Sequence, residues 1–156
     1  MSVEVALGES LKANGWTLAV AETTTGGLIS AKIVGVPGSS AYFERGVVAY
    51  SKESKVEMLG ITEDQLSEFG AVSEETAVAL AEGVRKLGGT TLGIAETGIA
   101  GPILGRSPKP LGSTYIAIAT PDGTRCEEHV FSGNRDTIRQ QIACRALELV
   151  LETIQL

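Results

Sequence analysis

Four short segments of the sequence carry side chains suited to nucleophilic chemistry on an anionic ligand. The run Glu22-Thr23-Thr24-Thr25-Gly26-Gly27 sets three hydroxyls in a row where a strand gives way to a helix. A hydroxyl becomes a nucleophile once a neighbouring base takes its proton. Glycines let backbone N–H groups approach a ligand or an oxyanion, and a helix N-terminus attracts negative charge. The same residue types also build an ordinary capped turn. The run Tyr50-Ser51-Lys52-Glu53-Ser54-Lys55 opens a helix, and a lysine in a first turn opposes the helix dipole. That field favours the neutral amine, which is a form of general base. A solvated lysine on an exposed face is the competing reading.

Glu96-Thr97-Gly98-Ile99-Ala100-Gly101-Pro102 again follows a strand, and Gly98 and Gly101 allow the backbone to bend near a ligand. A plain turn accounts for it equally. In Ser132-Gly133-Asn134-Arg135-Asp136-Thr137-Ile138-Arg139, the two arginines are four apart and share a face near a helix start. A guanidinium beside free helix N–H groups suits a phosphate. An offset by Asp136, Glu127 or Glu128 is the alternative. His129 reads as a surface or cross-strand histidine, and no group of residues has metal-ligand spacing.

These segments need a scaffold that brings them to one end of a sheet. The spacing of Val3, Leu7, Ser10, Leu11 and Asn14 predicts a helix stopped by Gly15. Trp16 to Glu22 is a continuous apolar run, as in strands buried on both faces. Helix is expected over Leu28 to Val34, strand over Phe43 to Tyr50, and helix over Lys52 to Leu59 between the Ser51 cap and Gly60. Thr62 with Gln65 is a capping box for a helix ending near Gly70, and Ser73 caps a longer helix ending at Gly88-Gly89. Thr91 to Glu96 is a third strand and Thr97 to Gly112 a long loop. Ser113 to Thr120 and Thr124 to Phe131 form a hairpin about Pro121-Asp122-Gly123, and Asn134 to Ile154 is a last helix. Helices between the first strands require parallel crossovers. The expected fold is an α/β, three-layer α/β/α sandwich around a mixed, mostly parallel sheet of about five strands, in a single domain over residues 1–156.

Composition narrows the function classes. The chain has 156 residues, 43% hydrophobic and 21% charged, so it can bury a core and is not disordered in bulk. Its net charge of −6 disfavours general nucleic-acid binding, and any phosphate must be met locally. Cys126 and Cys144 read as free thiols of a reducing cytoplasm. The first residues lack the pattern of a leader, and no stretch approaches the ~20 apolar residues of a membrane span. A cytoplasmic location without membrane contact is expected.

Taken together, AETTTGGLIS, GSSAYFERGVVAYSKESK, GAVSEETA, ETGIAGP and FSGNRD resemble the CinA C-terminal-domain family, in matching order from about Leu7 to Leu151. This chain looks like the stand-alone form. The resemblance implies a nicotinamide-nucleotide amidase, which hydrolyses the carboxamide of nicotinamide mononucleotide to nicotinic acid mononucleotide and ammonia through a serine–lysine dyad. It implies Thr23 as nucleophile, where the family motif A-E-S-C-T-G-G has serine, and Lys55 as base. The implied substrate contacts are Thr24, Thr25, Gly26, Gly27, Tyr50, Thr97, Gly98 and Arg135, the last on the 5′-phosphate. No metal or organic cofactor is implied, and the expected partners are the nucleotide and further copies of the chain. Threonine keeps the hydroxyl and adds a methyl that restricts χ1. Ile103-Leu104-Gly105 stands where the family commonly follows G-P with Asp/Gly-Gly. A pyridine-nucleotide-binding domain without turnover, or a partner-interaction domain of the same fold, is the alternative.

Overall fold

A computed structural model describes residues Met1–Leu156. The chain runs α1 (Val3–Asn14), β1 (Leu18–Glu22), α2 (Leu28–Val34), a 3-10 turn (Ser39–Ala41), β2 (Phe43–Val48), α3 (Lys52–Leu59), α4 (Glu63–Phe69), α5 (Glu74–Gly88), β3 (Leu92–Gly98), β4 (Ser113–Thr120), β5 (Gly123–Val130) and α6 (Arg135–Gln155). The local signals act as expected. Ser51, Thr62 and Ser73 each accept a backbone N–H at their helix starts, Thr62 and Gln65 complete the capping box, and Gly15, Gly60 and Gly89 end helices with left-handed φ.

The sheet order is β2-β1-β3-β4-β5. β1 pairs parallel with both β2 and β3, while β3–β4 and β4–β5 are antiparallel. Only β4 therefore runs against the other strands. The α/β expectation is met, with shifts at the edges. β1 begins at Leu18 rather than Trp16, β2 ends at Val48 rather than Tyr50, and β3 extends to Gly98 because its ladder to β4 continues through Gly98–Thr114. Strand alternation divides the core in two. Leu18, Val20, Leu92, Ile94, Ile116 and Ile118 meet α1, α2 and α6. Ala19, Ala21, Ala95, Ala117 and Ala119 meet the layer of α3, α4 and α5. The alanines let α5 come close, and at Gly93 a Cβ would lie 2.4 Å from the Ala81 carbonyl oxygen. No helix is long and apolar enough to cross a membrane.

Both cysteines are free thiols. Burial, reinforced by Glu74, Glu127, Glu75 and Glu128, pushes the Cys126 thiol up to about 12, which withholds the reactive thiolate. His129 is on β5, with Nε2 2.8 Å from Glu127 and its ring stacked on Phe131.

Glu127 also joins β5 to α6, accepting from Arg145 Nη2 at 2.6 Å and Nε at 2.9 Å. Those bonds lower its carboxyl to about 2. A depressed carboxyl contributes stability above its unfolded value of roughly 4.3, and loses it as pH falls toward the folded value. Glu127→Gln is expected to lower neutral-pH stability by up to about 1 kcal/mol, given its partial exposure. The difference should vanish near the bottom of that window, measured as urea midpoints against pH.

Candidate active site

A cleft of about 670 Å³ opens beyond the carboxyl ends of β1 and β3. In α/β sheets that is where ligands bind, because loops there carry side chains and free backbone groups. Thr23, Thr24, Tyr50, Lys55, Thr97, Gly98 and Arg135 all line it, although they come from four separate segments. Thr25, Gly26 and Gly27 do not. Gly26 and Gly27 turn the chain with φ of 59° and 106°, a region closed to most side chains, and carry it into α2. Thr25 is wholly buried beneath the turn.

Two carboxylates missed as functional groups at the sequence level hold this turn. Glu22, ending β1, accepts from Ile29 N at 2.8 Å, Ser30 N at 2.9 Å and Ser30 Oγ at 2.7 Å. It thus caps α2 in place of Gly27, which has no side chain. Glu96, on the neighbouring strand β3, accepts from Thr23 N at 2.7 Å and Thr25 N at 2.9 Å through Oε1. The Thr25 hydroxyl lies between them, 2.5 Å from Glu22 Oε1 and 2.9 Å from Glu96 Oε1. Both glutamates are inaccessible to solvent. Burial raises the Glu96 carboxyl above the ordinary range, opposed by its bonds from Thr25 and Thr23 and aided by Glu22. The available signal was an acid ending an otherwise apolar strand, since a buried carboxyl must find donors.

The Thr23 hydroxyl donates to the Glu96 carbonyl oxygen at 3.0 Å and lies 3.5 Å from Glu96 Oε2. Lys55, 4% exposed, donates to the Tyr50 carbonyl at 2.9 Å. Burial lowers its affinity for a proton, and the Glu96 charge opposes that shift. Thr23 Oγ1 and Lys55 Nζ share the cleft without a hydrogen bond between them. Because Glu96 takes the N–H groups of Thr23 and Thr25, neither is free for an oxyanion. The Thr24 N–H has no acceptor within the chain.

The arginine pair separates. Arg135 Nη1 donates to the Gly101 carbonyl at 2.9 Å and reaches the cleft. Arg139 turns away to the Thr24 and Thr25 carbonyls, at 3.0 and 2.9 Å, so it braces the turn from α6 rather than facing a ligand. Thr97 donates to Ala71, and Thr24 to Gly98. The segment Phe69 to Val72 also lines the cleft, as do Arg106 and Lys109 of the long loop. Lys109 Nζ donates to the Val72 carbonyl at 2.5 Å and sits 4.8 Å from the Tyr115 ring centroid, which ties that loop down.

The same architecture and much of the same sequence occur in known proteins. A protein of Acetivibrio thermocellus, named as competence-damage inducible, is 46% identical over 148 residues, covering 95% of this chain and 36% of the relative. A CinA-like protein of Syntrophobacter fumaroxidans is 43% identical over 148 residues, covering 95% of this chain and 35% of the relative. This chain thus spans about a third of the length of the curated relatives it matches. The crystal structure of competence/damage inducible protein CihA from Agrobacterium tumefaciens superposes with a TM-score of 0.92 at 33% identity, over 99% of this chain and 96% of that one. A competence-damaged protein (CinA) superfamily protein from Klebsiella pneumoniae gives 0.95 at 27% identity, over 98% and 96%. With the CinA C-terminal domain profile matching residues 1–154, the chain belongs to the CinA C-terminal domain family.

Proposed function

We propose that this domain is an amidohydrolase that converts nicotinamide mononucleotide to nicotinic acid mononucleotide and ammonia. The observation that carries the reading is the cleft lining. Thr23 shares it with Lys55, with three cationic side chains, Arg106, Lys109 and Arg135, and with no aspartate or glutamate. In a chain of net charge −6, that concentrates positive potential at one place and suits a phosphate-bearing substrate.

In this mechanism Thr23 Oγ1 attacks the carboxamide carbon while its proton passes to neutral Lys55. Lys55 returns that proton to the leaving nitrogen as the C–N bond breaks, and ammonia departs. Water then attacks the threonine ester, giving its proton to Lys55, and the proton passes back to Thr23 as the ester bond opens. The first step requires the Thr23 hydroxyl to release the Glu96 carbonyl and turn toward Lys55. Such tightening on substrate binding is common to acid–base sites. The reaction consumes only water and needs no metal or organic cofactor.

The engaged hydroxyl of Thr23 favours one rival, a domain of this family that binds a pyridine nucleotide without turning it over. Ammonia release from nicotinamide mononucleotide by the purified protein, beside its riboside and NAD, decides between them. Turnover selective for the mononucleotide supports the amidase, and binding without ammonia supports the rival.

Arg135 is assigned to the substrate phosphate. A charge-assisted hydrogen bond contributes roughly 1.5–3 kcal/mol, so Arg135→Ala is expected to raise KM for the mononucleotide about ten- to a hundredfold. The riboside should lose much less, through loosening of the loop at Gly101 alone. Equal losses on both substrates would remove the assignment.

A further inference from the structure

Hydrogen counting around Glu96 leaves one proton to place. The Thr25 hydroxyl has a single hydrogen but contacts a carboxyl oxygen of Glu22 at 2.5 Å and of Glu96 at 2.9 Å. The shorter contact assigns that hydrogen to Glu22, which also accepts from Ile29 and Ser30, so that both its oxygens have donors. On Glu96, Oε1 has both lone pairs filled by the N–H groups of Thr23 and Thr25. Oε2 has no N–H donor, and the hydroxyl 3.5 Å away, Thr23 Oγ1, already gives its hydrogen to the Glu96 carbonyl. An ionised Glu96 would therefore hold a buried anionic oxygen without a donor, which is costly away from water.

We propose that Glu96 is a positioning residue that rests as a neutral carboxylic acid, with its proton on Oε2 facing Thr23 Oγ1. Its carbonyl oxygen then fixes the nucleophile turn, its hydroxyl faces Thr23 Oγ1 from 3.5 Å, close enough to bond once the threonine rotates, and Lys55 is left without an ionised partner. The charged groups around Glu96 are Glu22 from β1, Lys55 from α3, and Arg139 from α6, the last spent on the Thr24 and Thr25 carbonyls. The facing β4 residue is Ile116. Glu22 opposes a second negative charge beside it. Burial of Glu96 acts in the same direction, while burial of Lys55 favours the neutral amine. A charge on Glu96 would draw a proton back onto Lys55, so the neutral acid keeps the base available. Glu96 retains its proton throughout turnover and exchanges none with substrate.

This role rests on the amidase reading, but the place of the proton does not, and the test separates them. In uniformly 13C-labelled protein, the Glu96 Cδ resonance can be assigned through its own Cγ protons and followed from acid to alkaline pH. It should keep the chemical shift of a protonated carboxyl at neutral pH. An ionised Glu96 at neutral pH overturns the proposal whether or not the protein turns over a nucleotide. The kinetic arm uses Glu96→Gln, which copies the neutral acid with an acceptor at Oε1 and a donor at Oε2. It should hold its kcat at alkaline pH, where ionisation of Glu96 in the parent draws a proton back onto Lys55 and lowers kcat. Collapse of kcat in a folded Glu96→Gln protein, or an unchanged pH profile, overturns the positioning role. A variant that does not fold leaves the parent's carbon resonance to decide. A parent that releases no ammonia removes the amidase reading and leaves the same resonance decisive.

Discussion

Thr23→Val is expected to abolish ammonia release, by about 10⁴-fold or more, while nucleotide binding persists. Valine has nearly the shape of threonine, so the site should survive. The Thr23 backbone N–H still reaches Glu96 Oε1, and Arg139 still holds the Thr24 and Thr25 carbonyls. The lost side-chain bond to the Glu96 carbonyl costs about 1 kcal/mol of stability, too little to unfold the domain. Thr23→Ser keeps the hydroxyl and frees χ1, so kcat should match or exceed the parent value. The neighbouring threonines make unequal controls. Thr24→Val removes a bond to the Gly98 carbonyl at the cleft wall and should reduce turnover only modestly. Thr25→Val strips the hydroxyl from between two buried carboxyls and should destabilise the fold, so Thr25→Ser is its proper comparison. Parent-rate ammonia release by Thr23→Val would exclude Thr23 as nucleophile. Activity that is absent in the parent and present in Thr23→Ser would favour the binding-domain reading.

Much of the scaffold was legible because its signals are local. A capping box such as Thr62 with Gln65 is closed by hydrogen bonds three residues apart, and a left-handed glycine such as Gly60 ends a helix wherever it stands. The hairpin of β4 and β5 announces itself through Pro121-Asp122-Gly123. Strand order is not local: β1 lies between β2 and β3 through crossovers that sequence restricts but does not choose among. The same divide runs through the site. Thr23 and Lys55 stand out by residue type and by their place at element ends. Glu96 meets Thr23 across 73 residues, through adjacency of β1 and β3 that no spacing reveals. Arg135 and Arg139 look equivalent from their four-residue interval, yet they part company because one side chain meets Gly101 and the other the turn after β1. The Thr25 N–H looks free for an oxyanion from its place in the turn, and only the fold shows that Glu96 occupies it.

Lys55→Arg tests the base, with an expected loss in kcat of about 10²–10⁴-fold. Arginine keeps the positive charge and cannot deprotonate at working pH, so any purely electrostatic role for Lys55 would survive the exchange while proton transfer would not. Lys55→Met complements it, since it removes the charge while keeping an unbranched chain that fits a site only 4% exposed. Loss of turnover in both, with mononucleotide binding retained in at least one, identifies proton transfer as the missing step. The pH profile gives an independent sign. Burial holds the Lys55 amine below the ordinary lysine range, and the proposed mechanism uses the neutral form. Parent activity should therefore rise with pH through a limb lying below that range. The limb belongs to Lys55, so residual activity in either variant should lack it. Retained activity with an unchanged acid limb in Lys55→Arg would assign the proton to another group and remove Lys55 from the mechanism.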